Sequence, residues 1–138
     1  MNLDKVFENN EQWIKEKLAV DPDFFTNLGK GQNPELLFIG CSDSRVSAEE
    51  LMGLGPGDAF VHRNIANMVI SLDLSAMSVI EYAVSHLKVN HIIICGHYHC
   101  GGVKAAMQML GTIYPKTTAI SDAEVATYLA AKPYDAAR

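Results

Sequence analysis

The sequence is short of most features that mark a specialised class of chain. It holds only three cysteines and one tryptophan in 138 residues. Three thiols, unevenly placed, cannot form a disulfide framework, and that points to a reducing compartment. No apolar run approaches the roughly 20 residues needed to cross a bilayer. Positive charge is in deficit, with 11 Lys and Arg against 16 Asp and Glu and a formal net charge of -5. That balance gives no electrostatic reason to expect nucleic acid or an anionic membrane as a partner. The opening Met1, Asn2, Leu3, Asp4 and Lys5 show neither a signal-peptide apolar region nor an Arg-rich transit pattern, so a cytoplasmic location is expected. Internal repeats and low-complexity segments are also lacking. With 49% hydrophobic residues, what remains is one domain able to build a core.

The apolar pattern alternates between two periods. Residues 3–20 read as an amphipathic helix, with Val6, Phe7, Trp13, Ile14 and Leu18 near helical spacing, broken by Asp21-Pro22. Leu36-Leu37-Phe38-Ile39 reads as a buried strand, Ala59-Phe60-Val61-His62 as a second, and residues 91–95 as a third, β-branched in its middle. Ser47 with Glu50 resembles a capping box opening a short helix that stops at the glycines of residues 51–57. Residues 73–88 give the clearest helix, with Leu74, Met77, Ile80, Val84 and Leu87 on one face. Residues 96–102 read as a loop and 103–110 as another helix. Strands alternating with helices predict an α/β fold with a mainly parallel sheet flanked by helices.

Two polar clusters follow two of these strands directly. One is Cys41-Ser42-Asp43-Ser44-Arg45; the other is Gly96-His97-Tyr98-His99-Cys100-Gly101-Gly102. In open parallel sheets, ligands bind beyond the carboxyl ends of the strands. If the two strands are neighbours, Cys41, His97 and Cys100 converge. Two thiolates and an imidazole suit zinc, and three protein ligands leave a fourth tetrahedral position open, as in catalytic sites. Each piece also has a plainer reading. Cys95 is expected in the core, His62, His86, His91 and His99 in surface or packing roles, and Asp43 with Arg45 could be an ordinary surface ion pair. A thiol enzyme using Cys41 or Cys100 with His97 is a further alternative.

The strings C-S-D-S-R at 41–45, H-R-N-I-A-N at 62–67 and G-H-x-x-C-G-G at 96–102, in this order, resemble a β-class carbonic anhydrase. The resemblance implies one zinc ion (Zn2+) per chain on Cys41, His97 and Cys100, and a catalytic dyad of Asp43 and Arg45. It also implies that Asp43 can itself join the metal in a resting state. Gln32, Phe60 and Tyr82 are implied as pocket residues, with the Gly101-Gly102 backbone near the substrate. The implied reaction is reversible hydration of carbon dioxide to bicarbonate and a proton. The same family includes carbonyl sulfide and carbon disulfide hydrolases, and an impaired zinc-binding or bicarbonate-sensing module is the other alternative. His99 is a candidate proton shuttle. The implied assembly is a homodimer or larger, with N-terminal helices wrapping the partner and the pocket at the interface. Two departures stand out. Phe38 occupies the place of a tryptophan that some members link to an inhibitory bicarbonate site. Past Met107 no further family motif is legible, so residues 1–110 are expected to form an incomplete zinc-binding domain. Residues 111–138 are then a divergent tail with one short helix, marked by Ser121, Glu124, Val125, Leu129 and Pro133, and activity is expected to be reduced.

Overall fold

A computed structural model describes residues 2–113. Helix α1 runs over Leu3–Val20, as its apolar spacing requires, and Asn2 caps it by accepting from the Asp4 N–H. A short helix that periodicity did not reveal, α2 (Phe24–Leu28), follows the Asp21-Pro22 break. Strand β1 (Leu36–Cys41) leads to α3 (Ala48–Met52), and β2 (Ala59–Asn64) to a single 3-10 turn over Ile65–Asn67. Then come α4 (Leu74–Glu81), a π-helical stretch over Tyr82–Leu87, β3 (His91–Cys95) and α5 (Gly101–Ile113).

Three parallel strands form one sheet in the order β2-β1-β3. The α/β expectation therefore holds, and the strands that carry the two polar clusters, β1 and β3, are hydrogen-bonded neighbours. As the central strand, β1 must be apolar on both faces. Leu37 and Ile39 pack with Ala83 on one side, against Phe60, Val79, Ile80 and Val89. Phe38 packs with Val46 and Ala48 on the other. This is why four consecutive apolar residues stand where an alternating pattern would serve an edge strand.

Three local expectations need correction. Ser47 does stand at the N-terminus of α3, but its side chain makes no capping bond, so the capping box is not formed. The helix stops at Gly53, whose φ of 65° is the left-handed conformation that glycine adopts without a Cβ clash. The single helix expected over 73–88 is α4 running into a π-helical turn that ends on left-handed Lys88. The last helix begins at Gly101, earlier than the expected 103, and continues through 110 to Ile113. The short helix expected in residues 111–138 lies outside the described residues.

Candidate metal centre

β1 delivers Cys41 at its last position, 4% exposed. The ladder continues one residue further, with the Ser42 N–H donating to the Asn64 carbonyl at 2.8 Å. The chain then turns. Asp43 Oδ1 accepts from the Arg45 N–H at 3.0 Å, and the Asp43 carbonyl accepts from the Val46 N–H at 3.0 Å. Such self-bonding is what Asp does well in a tight turn. It folds Arg45 back on Asp43 as a fork, Nε on Oδ1 at 2.8 Å and a terminal nitrogen on Oδ2 at 2.7 Å. The guanidinium holds the Asp43 carboxyl well below the usual carboxylate range, and the carboxylate in turn raises Arg45. Arg45 also reaches the His99 carbonyl at 3.5 Å, tying one polar cluster to the other.

From the end of β3 the chain brings His97 and Cys100 to the same place. The Cys41 and Cys100 sulfurs lie 3.8 Å apart, and the ligand atoms of Cys41, His97 and Cys100 all fall within 4.8 Å of one another. Two thiolates each about 2.3 Å from a tetrahedral metal stand about 3.8 Å apart, so the sulfur spacing fits the ion without rearrangement. His97 Nδ1 is 3.0 Å from the Tyr98 carbonyl. A carbonyl only accepts, so Nδ1 carries the proton and Nε2 keeps its lone pair. That Nε2 is buried without a hydrogen-bond partner, 3.8 Å from Asp43 Oδ2. A lone pair left orphaned in a polar site is the state expected of a metal ligand. Burial pushes the Cys41 thiol up. Hydrogen bonds from the backbone N–H groups of Asp43 and Ala66, with Cys100 beside it, are among the effects that bring it down, and the thiol settles at about 7. The residues present therefore suit a thiophilic divalent ion.

The other expected site residues divide. Gly101 and Gly102 open α5 directly after Cys100, and Gly102 is a true close approach: a Cβ there would lie 2.6 Å from Ile65 Cγ2. Phe60 is paired in register with Leu37, four positions before Cys41, hence about 13 Å from that end of the sheet. It stacks with Tyr82 at 5.8 Å, and Tyr82 with His86 at 5.0 Å. Gln32 borders an open hollow of about 270 Å³ with Asp21, Phe24, Leu28 and Asp58. Within one chain, Phe60 and Gln32 thus stand apart from the metal cluster. Sequence reasoning gave Arg63 no role. Its guanidinium donates to the main-chain carbonyls of Cys41 and Asp43, at 3.0 and 2.7 Å. The signal was present, since Arg63 lies inside the H-R-N-I-A-N string.

Fold and site together define a parallel α/β domain with a Cys-His-Cys cluster at the strand ends that could hold a metal ion. Residues 36–132 match the family described as Carbonic anhydrase, a match that continues past Met107, where no motif was legible. A carbonic anhydrase of Emericella nidulans is 59% identical over 121 residues, covering 86% of this chain and 53% of that protein. The solved Coccomyxa β-carbonic anhydrase in complex with acetazolamide superposes with a TM-score of 0.73 at 46% identity, over 77% of this chain and 48% of that one. One of two tetrameric β-carbonic anhydrases from Sordaria macrospora gives a TM-score of 0.75 at 37% identity, over 96% and 70%. The chain belongs to the carbonic anhydrase family, and to its β class. It spans about half the length of the curated relatives it matches.

Proposed function

We propose that this chain holds one zinc ion on Cys41, His97 and Cys100 and catalyses the reversible hydration of carbon dioxide to bicarbonate. The observation that carries the reading is the orphaned His97 Nε2, buried between two thiols and facing an ionised carboxylate. Zinc bound there would supply a Lewis acid able to make water a nucleophile near neutral pH. The chain's own groups do the rest. Asp43 Oδ2, on the side facing His97, accepts a hydrogen bond from the attacking water and so orients its lone pair toward carbon. Arg45 keeps that carboxylate charged and stops it rotating, because both its oxygens are engaged. Asp43 Oδ2, 3.8 Å from His97 Nε2, is the atom that would join the metal as a fourth ligand in a resting state.

The thiol-enzyme alternative is the weaker one. At 4% and 8% exposure, neither Cys41 nor Cys100 offers the accessible sulfur that a nucleophile needs. The proposal includes a homodimer or larger assembly with the pocket at the interface, and a cytoplasmic setting that keeps the three thiols free. Among the described residues, no helix is long and apolar enough to cross a membrane. Stopped-flow hydration on the purified chain, with its zinc content measured alongside, tests the reading. Asp43→Asn should retain zinc and lose most turnover. Wild-type turnover in that variant across neutral pH would overturn the assignment of the dyad.

A further inference from the structure

Three consecutive residues at the end of β1 are fastened to the last two residues of β2. The Cys41 carbonyl accepts from Arg63 Nε at 3.0 Å, the Ser42 N–H donates to the Asn64 carbonyl at 2.8 Å, and the Asp43 carbonyl accepts from an Arg63 terminal nitrogen at 2.7 Å. The first and third of these residues carry a metal-ligand thiol and the dyad carboxylate. Arg63 reaches neither of those side chains by a hydrogen bond or ion pair among the described residues; it holds their backbone. Carbonyls at positions i and i+2 face one planar fork, so the two bonds fix their separation and orientation together. Beyond Ser42 the ladder has ended, and without the fork Asp43 would be directed by the local turn and by Arg45, which reaches the His99 carbonyl at 3.5 Å.

The same exit of β2 reaches the other ligand arm. The Asn64 side chain closes the turn by accepting from the Met68 N–H and donating to the Met68 carbonyl, both at 2.7 Å. Between them, Ala66 and Asn67 take left-handed φ of 63° and 45°, an unfavourable conformation for non-glycine residues. That turn sets Ile65 and Ala66 against Gly102, two residues beyond Cys100. A segment holding no ligand is thus braced against both segments that hold ligands.

We infer that Arg63 is a positioning residue of the metal centre, setting the Cys41 thiolate and the Asp43 carboxylate in register through their backbone carbonyls. The inference rests on the zinc reading above, and its test reads the metal separately from turnover. Wild-type, Arg63→Met and Arg63→Lys chains are loaded with cobalt(II) as a spectroscopic probe. Zinc affinity is measured by chelator competition, and unfolding by urea. Arg63→Met keeps only an unbranched apolar stem and loses every donor, so zinc affinity should fall about 10- to 100-fold. The cobalt–thiolate charge-transfer band should also shift. Arg63→Lys keeps the charge without the fork and should recover only part of the affinity. It also keeps the inference open to refutation if the Met variant does not fold. Arg63→Met or Arg63→Lys with affinity within about twofold of wild type and an unaltered band overturns the role, even if its urea midpoint drops. A wild-type chain that takes up no metal overturns both readings. One that takes up cobalt but, when zinc-loaded, fails to hydrate carbon dioxide overturns the proposed activity alone, and the spectra then decide the role of Arg63.

Discussion

In the proposed zinc site, Cys41 and Cys100 would contribute through the chemistry of sulfur and not through packing volume. Serine at either position keeps nearly the same shape but offers a hydroxyl, which stays protonated at neutral pH and is a poor ligand for zinc. Cys41→Ser or Cys100→Ser should therefore lose zinc on dialysis while the wild type retains it, as read by metal analysis. Full occupancy in either variant would remove that residue from the ligand set. For Asp43 the informative variable is pH. Its carboxyl lies below the usual range in the folded chain because of Arg45, against about 3.9 in an unfolded one. A lowered folded value means that the pairing stabilises the fold above about pH 4 and that the contribution disappears as pH falls through the folded value. Arg45→Ala should move the Asp43 titration, followed by carboxyl NMR, up into the ordinary range. Titration of both proteins near the ordinary value would show that the fork does not hold the charge.

The elements show which features a sequence makes legible. The helix over residues 3–20 and the strand over 91–95 were readable to the residue, the first because it keeps one period for its full length, the second because its β-branched run is bounded by Asn90 and Gly96. β1 and β2 ran further than their apolar cores, to Cys41 and Asn64, since pairing continues where hydrophobic pattern does not. Helix α2 escaped notice because five residues are too few to display a period. The π-helical stretch over Tyr82–Leu87 was invisible for a related reason: one extra residue in a turn barely disturbs the apolar spacing. The convergence of Cys41, His97 and Cys100 was legible because few residue types can ligate a soft divalent ion, and the pairing of Asp43 with Arg45 because opposite charges stand two positions apart. The brace from Arg63 was not, because a side chain bonding to carbonyls leaves no mark on the residues it holds. The packing of α5 on the turn at Ile65–Asn67 was equally hidden, and it can be tested. Gly102→Ala would place a methyl 2.6 Å from Ile65 Cγ2 and 3.1 Å from Ala66 Cβ. That overlap should cost about 1–3 kcal/mol, read as a lower urea midpoint. An unchanged midpoint would show that the turn yields freely.

At the scale of the whole molecule, the imbalance is between a small core and a large amount of apolar surface left outside it. Helix α1 contributes no buried residue. It touches the rest of the chain through Trp13, whose ring meets those of Phe24 and Phe25 edge-on, and leaves Leu3, Phe7 and Val20 exposed. At the far side of the sheet, β3 pairs only with β1 among the described residues, and Ile92 and Ile94 remain 46% and 57% exposed. An apolar helix face and an unpaired strand edge of this kind mark surfaces that another chain segment covers. A net charge of -5 is too small a repulsion to keep such surfaces apart at moderate salt. The chain should accordingly run as a homodimer or larger species in size exclusion coupled to light scattering. Phe7→Glu, which puts a charge on the exposed face of α1 far from any metal ligand in sequence, should shift that equilibrium toward monomer while zinc content stays the same. If the substitution leaves the mass unchanged, α1 is not the contact surface. If the wild type is itself a monomer with full hydration activity, the site needs no second copy, and the separation of Gln32 and Phe60 from the metal cluster must then be explained within one chain.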